Sequence, residues 1–242
     1  MNAPAGPAGT GPERESVADL AALGVTAFTT TRAFGDLGWQ SADPAALVEA
    51  RWQRLWEALP SGTARLATAR QVHGTEVVMH APGWTGRLRV EGADGHVAPA
   101  PGTALAVTVA DCVPVFLAHP DGAVALVHAG WRGTAAGIVP HAIRRLADAG
   151  CAPADVVVHL GPAICGRCYE VSPDVYGALT GRGIDRPATV DLRDVLAGQC
   201  RGVGVRQVGA SAWCTRCHRA RFFSHRGGDA GRQVGVILRA CG

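Results

Sequence analysis

The chain has no lysine: all 23 of its basic residues are arginine. That absence excludes a Schiff-base lysine and the lysine of a phosphate-binding P-loop. The excess of positive charge is small, 23 basic against 20 acidic residues for a net charge of +3. The arginines are scattered rather than clustered, which gives no footprint for nucleic acid. No run approaches the ~18 uninterrupted apolar residues that a membrane span needs. The opening stretch MNAPAGPAGTGPERES lacks the apolar core of a secretion signal. The sequence therefore reads as a soluble, cytoplasmic protein with no membrane or nucleic-acid partner, expected to act as a monomer. In that setting its eight cysteines are expected to be reduced, serving as small buried hydrophobes, ligands or nucleophiles rather than as a disulfide framework. No GxSxG elbow occurs, and Gly202, Gly204 and Gly209 do not fit a dinucleotide fingerprint.

What is present is enough apolar sequence, 48% of residues, to bury a substantial core. Residues 1–15, rich in Pro, Gly and Ala, are expected to be an unstructured tail. Residues 16–242 are expected to form one domain. β-Branched and apolar runs predict strands near 24–32, 64–69, 76–81, 104–110, 113–118, 123–128, 155–161, 203–209 and 234–239. Helical spacing predicts a helix over 43–59, capped by Asp43 and apolar at Leu47, Ala50, Leu55 and Trp56. Further helices are predicted near 134–149, 173–180 and 191–200. Hairpin-like spacings mixed with β-α-β crossovers predict an α/β fold: a single three-layer α/β/α domain with a mixed sheet.

Reactive residues fall at strand ends and beside glycines. His73 precedes Gly74 in RQVHGTEV, Cys112 follows a buried run in ADC, and His128 closes another in VHAGWRG. A strand apolar on both faces can present a polar side chain only at its end. A lone histidine or cysteine in such a place is ordinarily a packed residue. Two histidines and one cysteine converging there would supply three zinc ligands and leave a fourth position open, the pattern of a catalytic rather than a structural site. The turn after His128 leads into a helix start, where Arg132 would add a planar donor for an anion such as phosphate. Asp111, beside Cys112, could orient a ligand or carry protons.

The segments RQVHGTEV, ADG (93–95), AVTVADCVPVFL, VALVHAGWRGT, GPAICGRCYEV, FFSHR and GRQVGVIL occur in one order, and in that order they resemble the YfiH-like family. That family has been called a polyphenol oxidase or laccase-domain family and later a purine nucleoside phosphorylase and adenosine deaminase family. The resemblance runs from about Thr29 to the C-terminus. It implies a single α/β/α domain with a catalytic metal, zinc, held by His73, Cys112 and His128. It places Arg32, in TTTRAFG, near the substrate. It implies purine nucleosides and inorganic phosphate as partners. The chain departs from the family pattern after Arg32, where AFGDLGWQSADP stands, and in FFSHR, where His225 takes the place of a more usual Tyr.

The pairs Cys165/Cys168 and Cys214/Cys217 each have zinc-ligand spacing, but 45 residues separate them, far more than a zinc ribbon uses. We read them as packing cysteines with their ligand chemistry intact, in line with the family. The lead reading is a zinc nucleoside enzyme in which phosphate held by Arg132 and Arg32 attacks the ribose carbon, or zinc-activated water deaminates adenosine with Asp111 or Glu170 moving the proton. A copper phenol oxidase is the alternative, since two His and one Cys also suit copper. It would need an axial Met, for which Met79 is the internal choice, and clustered histidines, yet no HxH pair occurs. A metal-free hydrolase or deamidase would instead use Cys112 as nucleophile and His128 as base.

Overall fold

In the computed structural model, which describes residues 13–241, strand residues adjacent in sequence feed two different cores. The chain runs through β1 (Arg14–Ser16), β2 (Thr26–Thr30), α1 (Ala45–Glu57), β3 (Arg65–Arg70), β4 (Val77–Met79), β5 (Gly86–Glu91), β6 (Gly95–Ala98), β7 (Thr103–Val109), β8 (Val113–Ala118) and β9 (Val124–Ala129). It continues through α2 (Trp131–Ala135), α3 (Ile138–Asp148), β10 (Val157–Leu160), β11 (Glu170–Val171), α4 (Pro173–Thr180), β12 (Ala188–Thr189), α5 (Leu192–Gly202), β13 (Gln207–Ala210) and β14 (Gln233–Leu238). One six-stranded sheet has the order β1-β2-β14-β7-β3-β5, a second the order β13-β10-β8-β9-β6-β4, and β11 and β12 make a small separate ribbon. Both large sheets mix parallel with antiparallel pairs.

The period of two along each strand sorts side chains between layers. In β7, Ala104 and Ala106 face α1, whose Val48, Trp52 and Leu55 cover the outer side of the first sheet. Leu105 and Val107 face inward, against Phe116, Ala118, Val124 and Leu126 of the second sheet. In β8, Val115 and Leu117 face out toward Ile138, Ala142 and Ile143 of α3 and Leu196 of α5. The α/β class with mixed strands holds. The strands expected in one sheet are divided between two, giving the layers helix, sheet, sheet, helix. Fully buried Phe116 and Leu126 between the sheets contribute roughly 1.5–3 kcal/mol each.

Several local expectations shift. The expected tail lies mostly outside the described residues, but its last part enters β1, with Arg14 opposite Thr30 of β2. Asp43 does not cap α1. Pro44 takes the cap position, and the Asp43 carboxylate accepts from Arg51 Nη1 at 2.6 Å. Leu47 is exposed, because the buried face of α1 is set by Val48, Trp52 and Leu55. The expected helix 134–149 starts earlier and is broken at Gly137 (φ +79), a left-handed position between α2 and α3. The strand expected at 203–209 begins only at Gln207. Among the described residues no helix is long and apolar enough to cross a membrane.

Candidate active site

Three times the chain passes from the first sheet to the second: between β3 and β4, between β5 and β6, and between β7 and β8. Each crossing carries one residue of the site, His73, Asp94 and Cys112 respectively. His128 joins them from β9, beside Pro114 of β8. Two of the crossings force non-glycine residues into left-handed backbone, His73 at φ 60° and Asp111 at φ 80°. Such conformations persist only where the surroundings hold them.

Asp94 does much of that holding. Wholly buried, its carboxylate accepts from the amides of Val72 at 3.1 Å, His73 at 2.9 Å and Gly74 at 2.7 Å. The same carboxylate takes His128 Nδ1 at 2.8 Å, which leaves Nε2 for the centre. Burial works against the Asp94 charge, but the His128 and amide hydrogen bonds outweigh it and hold the group down at about 2. Burial likewise opposes ionisation of the Cys112 thiol. The His128 charge and hydrogen bonds from His128 and His73 prevail, bringing it to about 6. Burial also opposes the His128 charge, yet the Cys112 sulfur and the Asp94 carboxylate raise His128 to about 9.

The ligand atoms of His73, Cys112 and His128 lie within 4.8 Å of one another, and the two imidazoles meet edge to face at 4.8 Å. A thiolate and two imidazoles, one of them oriented by a buried carboxylate, form a donor set that fits a divalent transition metal with an open position. Gly130 gives them room: a Cβ there would lie 2.9 Å from His73 Cδ2 and 3.1 Å from Cys112 Sγ.

The centre sits where two lobes of a cleft meet, both lined by His73, Ala110, Cys112 and His225. The smaller lobe, about 240 Å³, adds Asp111, Trp131, Arg132, Ile164, Tyr169 and Arg226. The larger, about 520 Å³, adds His128, Trp39, Arg70, Gln71, Arg89 and Arg232. Arg132 lines the smaller lobe, its guanidinium 4.6 Å from the centroid of the Trp131 ring. Arg32 does not. It lines neither lobe; its guanidinium pairs with Asp229 at 2.8 Å, donates to the carbonyls of Arg219 and Phe222, and lies over the Phe223 ring. It braces the loop that carries His225 and Arg226. Glu170 also lines neither lobe. It is exposed on β11, and its carbonyl accepts from Arg226 Nη1 at 2.9 Å, while its neighbour Tyr169 faces the cleft. Asp111 lines the smaller lobe, but Thr215 Oγ1 at 2.5 Å and the Arg226 amide at 2.6 Å engage its two oxygens.

Sequence reasoning gave no role to Asp94 or Tyr169, although both lie inside the segments that carry the family resemblance; His225 and Arg226 lie in the basic, aromatic stretch 216–226, which could hold a phosphate and stack a base or form a solvated rim. For Asp94 a signal existed: an acidic residue directly before the glycine that opens a strand. The two cysteine pairs, set aside in the sequence for their separation, are brought together by the fold: Cys165, Cys168, Cys214 and Cys217 place their sulfurs within 4.8 Å of one another.

The family described as multi-copper polyphenol oxidoreductase laccase matches residues 25–240. A purine nucleoside phosphorylase of Streptomyces coelicolor is 36% identical over 211 residues, covering 84% of this chain and 86% of its own length. One from Deinococcus radiodurans is 34% identical over 229 residues, covering 86% and 87%. Among solved structures, YlmD of Geobacillus stearothermophilus superposes with a TM-score of 0.85 at 29% identity, covering 96% of this chain and 99% of its own. The hypothetical protein YfiH of Bacillus licheniformis gives 0.85 at 26% identity, covering 94% and 97%.

Proposed function

The chain belongs to the multi-copper polyphenol oxidoreductase laccase family, and within it we propose a zinc-dependent purine nucleoside enzyme that phosphorolyses adenosine-, inosine- and guanosine-type nucleosides and deaminates adenosine. The observation that carries the reading is the His73–Cys112–His128 centre, backed by Asp94, at the junction of two lobes. The substrate class is supported by relatives named purine nucleoside phosphorylase.

Zinc bound there would supply Lewis acidity and bring water toward a pKa of ~7. The larger lobe has room for a nucleoside, and the smaller one offers the guanidinium groups of Arg132 and Arg226 for phosphate. A nucleoside lying across the junction places its reacting carbon between the two. Asp94 keeps the His128 ring fixed, and His225, shared by both lobes, is within reach of a proton on substrate. Met79 packs on the helix side of the second sheet and lines neither lobe, so it does not supply the axial ligand a copper site would call for.

One observation favours a second reading. Without metal, the lowered Cys112 thiol and the raised His128, backed by Asp94, are the arrangement of a cysteine nucleophile with its base and orienting acid. Metal content and turnover of adenosine and inosine, with and without phosphate, separate the two for wild type and Cys112→Ala. About one zinc at this centre, with free base formed only when phosphate is present and lost in the variant, supports phosphorolysis; inosine formed from adenosine supports deamination. A wild type with no metal at this centre whose Cys112 alkylates rapidly, with no nucleoside turnover, moves the assignment to the hydrolase. Copper with phenol oxidation moves it to the oxidase.

A further inference from the structure

Two CxxC turns that lie far apart in sequence meet at one point, and the sheet explains how. β10 and β13 are parallel neighbours, with Leu160 opposite Ala210, so the segments leaving their ends run side by side. The pairing continues as a bridge between Ala163 and Cys214 and a bond from the Thr215 amide to the Ala163 carbonyl at 3.1 Å. The long gap between the turns is thus taken up by β11, α4, β12, α5 and β13, and does not keep them apart.

At the meeting point the sulfurs of Cys165, Cys168, Cys214 and Cys217 lie within 4.8 Å of one another, with Cys168 and Cys217 at 3.4 Å. The corners of a tetrahedral zinc–thiolate site, at about 2.3 Å from the metal, are about 3.8 Å apart, inside that spread. The amides of Cys165 and Cys217 both point at Cys214 Sγ, at 3.3 and 3.4 Å, as donors do that stabilise a thiolate. His218 lies outside this group of ligand atoms, its Nδ1 facing the Cys214 carbonyl at 3.0 Å. Each turn also contains an arginine, Arg167 and Arg216, and Arg216 Nη1 binds the Cys168 carbonyl at 2.9 Å. They offset the negative charge that four thiolates leave around a dication.

We propose that Cys165, Cys168, Cys214 and Cys217 hold a second zinc ion, in a closed structural site separate from the His73–Cys112–His128 centre. Its position gives it a task. One turn is flanked by Ile164 and Tyr169, which line the smaller lobe. The other holds Thr215, whose hydroxyl binds Asp111 next to Cys112. The ion clamps the wall of the smaller lobe to the crossing that carries Cys112.

The test uses the full chain carrying Cys112→Ala, which removes a ligand of the first centre and leaves the quartet intact, purified untagged and reduced. Elemental analysis is expected to find about one zinc per chain, and zinc X-ray absorption a shell of four sulfurs at about 2.3 Å. Adding Cys168→Ser and Cys217→Ser is expected to remove that zinc and lower the melting temperature; should this variant fail to fold, the sulfur shell of the parent decides alone. No bound zinc, iron in its place, a sulfur count below four, or a Cys168–Cys217 disulfide in the intact mass would overturn the assignment. None of these readouts depends on nucleoside turnover, so failure here and failure of the proposed activity are told apart.

Discussion

Removing the Asp94 carboxylate would strand three backbone donors and the His128 Nδ1 proton at once. Each buried donor left unpaired costs about 1–3 kcal/mol, and loss of a group that orients a metal-binding histidine lowers metal affinity about 10–100-fold. Asp94→Ala is therefore expected to weaken metal binding at the first centre by that factor and to lower the melting temperature. Titration against a chromophoric chelator checks the first effect, and unchanged affinity would rule out the orienting role. Gly130→Ala separates geometry from stability. Its φ of −82° is ordinary backbone, so the cost is the clash of the new methyl with His73 and Cys112. The variant is expected to lose metal at this centre while its melting temperature moves little, as zinc content beside thermal unfolding will show.

At the scale of elements, the loop before β14 matters because it delivers His225 and Arg226 to the cleft. Asp229 ties it down: its carboxylate takes Arg32, Arg219 and the Ser224 amide. Burial works against the Asp229 charge, but these partners outweigh it and hold its pKa below the usual carboxylate value. A depressed acid contributes stability that is complete above the unfolded value near 4 and fades as pH falls through the folded one. Asp229→Asn is expected to reduce turnover about 10–100-fold by displacing the loop, with zinc content unchanged; a loss of zinc instead would mean that the loop supports the metal centre itself. The strands flanking this machinery were legible from sequence because β7, β8 and β9 are continuous apolar runs buried on both faces. β5 was not, since Arg87, Leu88 and Arg89 lie exposed at a sheet edge and carry no burial signal. The register of α1 was misread although the signal was present: Val48, Trp52 and Leu55 keep the i, i+4, i+7 spacing of one buried face, and Leu47 lies outside it.

For the whole molecule, the site was legible as residue types at strand ends, whereas the division of strands between two sheets was not. Alternation along a doubly buried strand does not reveal whether its second face meets a helix or another sheet. That inter-sheet layer holds a further consequence. The alternation in β6 sends Val97 to the helix side and Ala98, with His96, to the inter-sheet side. There His96 Nδ1 meets His80 Nε2 at 2.9 Å, beside Trp84. Burial lowers His80 to about 4. Burial and the neighbouring His80 lower His96 to about 3, with Asp94 pulling weakly the other way. Both rings are thus neutral in the fold and basic once unfolded. Below the ordinary histidine value near 6.5 the unfolded chain takes up protons that the folded chain refuses, so stability is complete above that pH and falls as pH drops toward 4. The slope approaches about 1.4 kcal/mol per pH unit for each ring. Urea unfolding from pH 7.5 down to 4.5 measures it, in Cys112→Ala so that the thiol of the metal centre does not contribute. The expected curve is level to about 6.5 and then declines, well above the window in which Asp229 acts, and His80→Gln is expected to reduce the decline by about half. A level curve down to pH 4.5 would mean that the pair takes up protons within the fold, and that the space between the sheets admits charge.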